Sequence, residues 1–255
     1  MLDAPGGWPA TVFVLVNEDD PEIARYKQIA DQLLDEYRQT YGKGSKAPPW
    51  YLRVIPAGSR CADAHRWITS EDQPFEKFYG LLCDDHWPIT PKWWETMEQA
   101  AEDRYIAASN GSPMFPKIRS AVCFGGELVE AMGSLVPATM KHNFEDDLWD
   151  KVAADYNILR PLKDVVVQHR HPIHNTAKTD ATYERGSADF QLDKTRFETW
   201  LSSDERVELY KRLDTLFGAT STTLDLSSID LAIIVPVQNN SVDLAYHSSI
   251  FQTLR

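Results

Sequence analysis

Four short clusters in this chain carry side chains of the types that hold cations or move protons. They are Asn17-Glu18-Asp19-Asp20, Asp84-Asp85-His86, Glu145-Asp146-Asp147 and His169-Arg170-His171-Pro172-Ile173-His174. The second is the most informative. Asp84 and Asp85 follow the apolar run Phe78-Tyr79-Gly80-Leu81-Leu82-Cys83 and precede Pro88, Thr90 and Pro91. Adjacent residues on an extended backbone point to opposite faces, so both carboxylates serve one site only where the strand ends and the chain turns. Two close carboxylates repel and resist desolvation, and a cation removes both costs. Oxygen ligands suit Mg²⁺ or Mn²⁺, which complete their shells with water and substrate phosphate. The residues alone therefore describe either a strand-end metal site for a phosphorylated ligand or a solvated acidic turn that starts the next helix.

The elements that must position these clusters alternate between strand and helix. Thr11–Val16 is almost wholly apolar and β-branched or aromatic, which predicts a buried central strand of a mostly parallel sheet. Between Glu22 and Tyr41, Ile23, Tyr26, Ile29, Ala30, Leu33, Leu34 and Tyr37 recur at helical spacing. Tyr51–Ile55 is a second strand, Ala62–Ile68 a short helix and Phe78–Cys83 a third strand. Thr90 and Pro91 predict an N-cap and first turn for a helix running to about Arg104, with Trp93, Met97, Ala100 and Ala101 inward and the Trp93-Trp94 pair mostly core, one ring of it open to face a sugar. Further strands are expected at Tyr105–Ala108, Ile118–Phe124 and Asp164–Gln168, and helices at Glu127–Met132 and from the opening run His142–Asp147 to Tyr156. Thr176–Gly186 lacks apolar periodicity and reads as a mobile loop, followed by a helix over Asp193–Phe217 that breaks near Ser202-Ser203. His65, His142 and Cys83 read as packing or surface residues.

Each of the four clusters follows an apolar strand or opens a helix, as expected of an α/β sheet that presents one site along one edge. In that order the motifs resemble the nucleotide-sugar glycosyltransferases of the GT-A fold, family-2-like, over roughly residues 10–175. The matching pieces are Val16-Asn17-Glu18 after the opening strand and a DXD-like motif, Leu81-Leu82-Cys83-Asp84-Asp85-His86-Trp87-Pro88, with Trp93-Trp94 beyond it. Two more follow, Glu145-Asp146-Asp147-Leu148-Trp149 and the strand Val165-Val166-Val167-Gln168 that ends in His169. Two departures are His86, where a third Asp is common, and a histidine-rich run in place of a single ligand.

The resemblance implies a single Rossmann-like GT-A domain over residues 1–217, with a mostly parallel central sheet flanked by helices. It implies a metal-dependent, inverting transfer of a sugar from a nucleoside-diphosphate sugar, with UDP as the expected base, to an acceptor hydroxyl. Asp85 would ligate Mn²⁺ or Mg²⁺, with His169 or His171 as a further ligand, and Asp84 would touch the ribose or the metal's waters. Asp146 would be the general base, with Asp147 as second choice. Val16, Asn17 and Glu18 would line the nucleotide pocket and Arg60 would hold the base or phosphates. Gly125 and Gly126 would allow donor or acceptor to approach closely. The acceptor is open: glycan, lipid, protein or modified nucleic acid.

Two other classes compete. Asp84, Asp85, His169 and His171 could bind Zn²⁺ as a hydrolase centre that activates water, or the domain could be a catalytically silent nucleotide-binding module. The net charge of −12 disfavours loose binding to nucleic acid or anionic membranes. Three separated cysteines without a CxxC pattern point to free thiols in a reducing, cytoplasmic compartment. No apolar run approaches the roughly 20 residues of a membrane span. Residues 218–255 read as a Ser/Thr-rich linker and an extension, Leu231–Val237 being a buried-type strand with a turn and helix start after it. That extension looks like the opening of a second glycosyltransferase domain, which makes this chain the first module of a longer polypeptide. The competing expectation is an added edge strand and covering helix on the first domain.

Overall fold

The computed structural model describes residues 10–41, 50–69, 76–172, 176–179, 181–218 and 231–237. The fold is α/β. The strands are β1 (Ala10–Asn17), β2 (Trp50–Ile55), β3 (Phe78–Leu81), β4 (His86–Pro88), β5 (Ile106–Asn110), β6 (Val122–Gly125), β7 (Leu159–His169) and β8 (Leu231–Val237). The helices are α1 (Ile23–Tyr41), α2 (Cys61–Ile68), α3 (Trp93–Ala101), α4 (Gly126–Met132), α5 (Glu145–Tyr156), α6 (Ala181–Trp200) and α7 (Asp204–Gly218).

The strands lie in the order β2-β1-β8-β3-β6-β5-β7-β4. The expected mostly parallel sheet is instead mixed. The junctions β1·β2, β1·β8, β3·β8 and β5·β7 are parallel, and β3·β6, β5·β6 and β4·β7 are antiparallel. The reversed β6 arises because β5 and β6 are joined by a short connection of irregular turns, too short for a crossover helix. Being reversed against both neighbours, β6 leaves β5 pointing the same way as β3. The carboxyl ends of β1, β2, β3, β5 and β7 therefore share one edge, and the segment entering β6 starts from that edge too.

Side chains on the strands alternate between two cores. Leu15, Tyr79, Leu81, Ile106, Ala108, Val122 and Phe124 join α2, α4, α5, α6 and α7 on one face. Val12, Val16, Phe78, Leu82, Ala107, Cys123 and Val167 join α1 and α3 on the other. Both rings of Trp93-Trp94 lie in the second core and are buried, so neither is available to stack on a sugar.

Several local expectations are corrected. Thr90 does not cap α3. Its hydroxyl accepts the Val166 N–H at 2.8 Å and donates to the Asp164 carbonyl, while Lys92 takes the cap position with a left-handed φ of 53°. The segment read as a mobile loop up to Gly186 becomes the first turns of α6 from Ala181. Gly125 and Gly126 serve the backbone rather than a ligand: a Cβ there would fall 2.2 Å from the Asp103 carbonyl carbon and 2.3 Å from the Glu76 oxygen. The proposed linker and the helix start after residue 237 lie outside the described residues. The strand between them, β8, is an interior strand between β1 and β3 rather than an edge addition.

Candidate functional site

The shared strand edge opens into a cavity of about 590 Å³. Its wall includes Asp84 and Asp85 after β3, His169 and His171 at the end of β7, and Asp146 and Asp147 in the first turn of α5. Three of the four clusters thus meet in one place. The fourth does not line it. Val16 is buried in the core, the Asn17 side-chain amide donates to the Ser59 carbonyl at 2.9 Å, and Glu18 is exposed at the same sheet edge. Arg60 stands at the start of α2 and pairs with Asp189 at 3.2 Å.

The chain does turn at Asp84-Asp85. The His86 N–H closes onto the Cys83 carbonyl at 3.0 Å, and β4 then pairs with β7 so that His86 faces His169 across the ladder. The Arg170 N–H donates to the Asp85 carbonyl at 2.8 Å, which ties the acidic turn to the end of β7. This turn is fixed by two strands, as a ligand-holding element requires.

Asp85 Oδ2 pairs with His169 Nε2 at 3.0 Å and accepts a hydrogen bond from the Tyr183 hydroxyl at 2.9 Å. Burial opposes its charge, but these bonds and the neighbouring imidazoles hold the carboxyl well below the usual range. Its other oxygen, Oδ1, is buried without a hydrogen-bond partner among the described residues. His169 Nδ1 lies 2.7 Å from the Arg119 carbonyl, which can only accept, so Nδ1 carries a proton. Nε2 can then approach Asp85 in two ways: with a second proton, or through a shared cation. Without a cation, Asp85 raises the His169 pKa despite burial. With one, two ligand atoms 3.0 Å apart match neighbours at right angles in a shell with bonds of about 2.1 Å. The carbonyl on Nδ1 is the partner that orients metal-binding histidines. Asp85 and His169, with the unsatisfied Oδ1, thus fit a hard divalent cation.

His86 behaves differently. Its Nδ1 accepts the Cys83 N–H at 3.1 Å, and burial together with the His169 charge pushes its pKa down to about 3. It is a neutral ring with its proton on Nε2, directed to the Asp85 side. His171 packs edge-on against His169 and Tyr183, with ring centroids 5.3 and 4.7 Å away.

Asp146 and Asp147 are organised by Arg119, a residue the sequence reading did not single out. Its guanidinium reaches Asp146 at 2.9 Å, Asp147 at 2.7 Å and Asp150 at 2.9 Å. Desolvation, opposed by Arg119 and reinforced by the Asp147 charge, raises the Asp146 pKa to about 6. The helix N-terminus favours the anionic forms. Residues 146, 147 and 150 share one face of a helix, and three such acids imply a basic partner, which was the available signal for Arg119. Tyr183, Cys61, His65 and Glu145 also line the cavity and were likewise unassigned or read as packing and capping residues. His142 lies in the same wall, where burial lowers its pKa.

Comparison of the chain with protein-family models, with curated proteins and with solved structures finds no match. No helix among the described residues is long and apolar enough to cross a membrane.

Proposed function

We propose that this chain is a metal-dependent glycosyltransferase that moves a sugar from a nucleoside-diphosphate sugar to an acceptor hydroxyl. The observation that carries the reading is the meeting of two acidic groups of opposite character on one cavity. Asp85, held ionised beside His169, is suited to a cation. Asp146, raised to about 6, is suited to take a proton near neutral pH.

Asp85 and His169 are the residues to hold Mn²⁺ or Mg²⁺, with Asp84 beside them and His171 within the same wall. The cation would supply charge to offset that developing on the departing diphosphate. Asp146 orients and deprotonates the acceptor hydroxyl, and Arg119 fixes the carboxylate while sharing its charge with Asp147 and Asp150. Tyr183, donating to Asp85, holds the ligand carboxylate in one rotamer. Asn17 and Glu18 stand at the end of β1 on the same edge, where open α/β sheets take nucleotides. Arg60, paired with Asp189, reaches a phosphate only by exchanging that partner. The sugar, base and acceptor follow from assay rather than from these residues.

The test is a thermal-shift panel of nucleoside diphosphates with and without Mn²⁺. A ligand of the folded state raises stability by RT ln(1 + [L]/Kd), about 2.7 kcal/mol at one hundred times Kd. Stabilisation by a nucleoside diphosphate only when Mn²⁺ is present supports the reading. No shift with any nucleotide, with or without metal, overturns it.

A further inference from the structure

A second cluster of ligand-type side chains lines the cavity, and the transferase reading gives it no role. Cys61 and His65 are four residues apart on α2 and share a helix face. Glu145 opens α5 opposite them, and the ligand atoms of all three lie within 4.8 Å of one another. Cys61 Sγ is 3.7 Å from His65 Nε2, and His65 Nδ1 is 2.5 Å from Glu145 Oε2. The Cys83 thiol, at the end of β3, stands beside the Cys61 thiol, and its sulfur also lies within 4.8 Å of ligand atoms of Asp85 and His86. His65 and Glu145 are 3% and 5% exposed, and Glu145 Oε1 is buried with no hydrogen-bond partner among the described residues. A half-satisfied buried carboxylate is costly unless a cation completes it.

We infer that Cys61, His65 and Glu145, joined by the neighbouring Cys83, form a binding site for Zn²⁺ or a comparably soft divalent cation, adjoining the hard site at Asp85 and His169. Tetrahedral Zn²⁺, with bonds of about 2.0–2.3 Å, spaces neighbouring ligand atoms roughly 3.4–3.8 Å apart. Bound through Nδ1, His65 lies 4.0 Å from Cys61 Sγ and 2.5 Å from Glu145 Oε2, and small side-chain rotations bring both pairs to this spacing while the imidazole proton passes to Nε2. Two thiols and an imidazole are also the donors that select Zn²⁺ over Mg²⁺ or Mn²⁺. Binding releases the two thiol protons to solvent and leaves two metal–thiolate bonds.

The same residues resemble a nucleophile, base and orienting acid in line. The Cys61 thiol speaks against that role: the neighbouring Cys83 thiol and burial push its pKa well up, where an activated thiol needs it lowered. A bound cation deprotonates such thiols directly. Four protein ligands make a closed, structural site. It would tie α2 and α5 to the end of β3, directly before the Asp84-Asp85 turn, and so stiffen the wall that carries Asp85 and Asp146.

Co²⁺ is the probe. The purified, reduced protein should take up one Co²⁺ with a sulfur-to-metal charge-transfer band in the near ultraviolet, and Zn²⁺ should displace it. Cys61→Ser/Cys83→Ser should lose the band while Asp85→Asn keeps it, so this inference and the transferase reading fail separately. A measurement on the parent protein alone guards against misfolded variants. Zn²⁺ should slow alkylation of Cys61 and Cys83 at least about tenfold, because a metal-bound thiolate is withdrawn from attack. Alkylation of the buried Cys123 serves as the reference. Absence of the band, its persistence in the double variant, or alkylation indifferent to Zn²⁺ overturns the site.

Discussion

Replacing Arg119 with methionine keeps an unbranched apolar stem and removes the guanidinium that serves Asp146, Asp147 and Asp150. Arg119 is only 13% exposed, whereas its partners are 35%, 38% and 19% exposed. Hydrogen bonds to charged groups contribute about 1.5–3 kcal/mol each. Solvent access to two of the three acids brings each bond nearer 1 kcal/mol, so the loss at pH 8 should be about 3 kcal/mol. For a chain of this size that is a fall in Tm of about 6–12 °C. The loss should depend on pH. Asp146 sits at about 6 even with Arg119 drawing it down. Without the guanidinium its folded pKa rises further, and a raised carboxyl favours folding below its unfolded pKa and loses that advantage as pH climbs through the folded value. The variant should therefore recover toward the parent between pH 8 and pH 5, as Asp146 takes up a proton. Chemical denaturation at four pH values reads this directly. A gap that is constant, or that widens as pH falls, would refute the assignment of Arg119 as counter-charge to these acids.

Other outcomes follow from the same geometry. Asp146→Asn keeps the shape but cannot take a proton, so turnover should drop roughly 10²–10⁴-fold with donor affinity nearly unchanged, as read by kcat and KM separately; a larger drop for Asp147→Asn exchanges the two roles. Gly111→Ala would set a methyl 1.5 Å from the Val167 carbonyl oxygen and 2.8 Å from Ser120 Oγ, so it should destabilise by about 3 kcal/mol or more and displace the end of β7; a parent-like melting curve would show that the two strands separate easily. Truncation after residue 218 removes β8 and with it the pairing of β1 and β3 to an interior strand, so the shortened chain should lose its cooperative melt; an intact melt would favour an independent module ending near residue 217.

The legible parts were those where pattern and local chemistry agree. The run Phe78–Cys83 announces a buried strand, and the adjacency of Asp84 and Asp85 demands a turn, which Cys83 and His86 close. The apolar period of α1 fixes that helix almost to the residue. The reversal of β6 was missed although its cause lay in the sequence: the connection from β5 is a run of turns too short for a crossover helix, so the two strands pair antiparallel. The start of α6 was missed for a different reason. That helix has no strong apolar stripe: Phe190 and Leu192 are about half exposed, and Tyr183 is held by a hydroxyl bond to Asp85 that no periodicity reveals. Thr90-Pro91 carried a strong cap signal, but the sheet took the threonine hydroxyl for Val166. Cys61 and His65 were not read as a helical pair, because the helix was expected to begin at Ala62, and Glu145 and Cys83 come to His65 from 80 and 18 residues away along the chain, so that only the fold brings them together.

The most direct test of the central claim is calorimetric titration of UDP, and then of the other nucleoside diphosphates, into parent and Asp85→Asn protein with and without Mn²⁺. The account predicts binding by the parent that requires Mn²⁺ and is lost in Asp85→Asn, because the cation loses the charged oxygen that holds it beside His169. Parent and variant binding alike, or no nucleoside diphosphate binding in the presence of Mn²⁺, would contradict it.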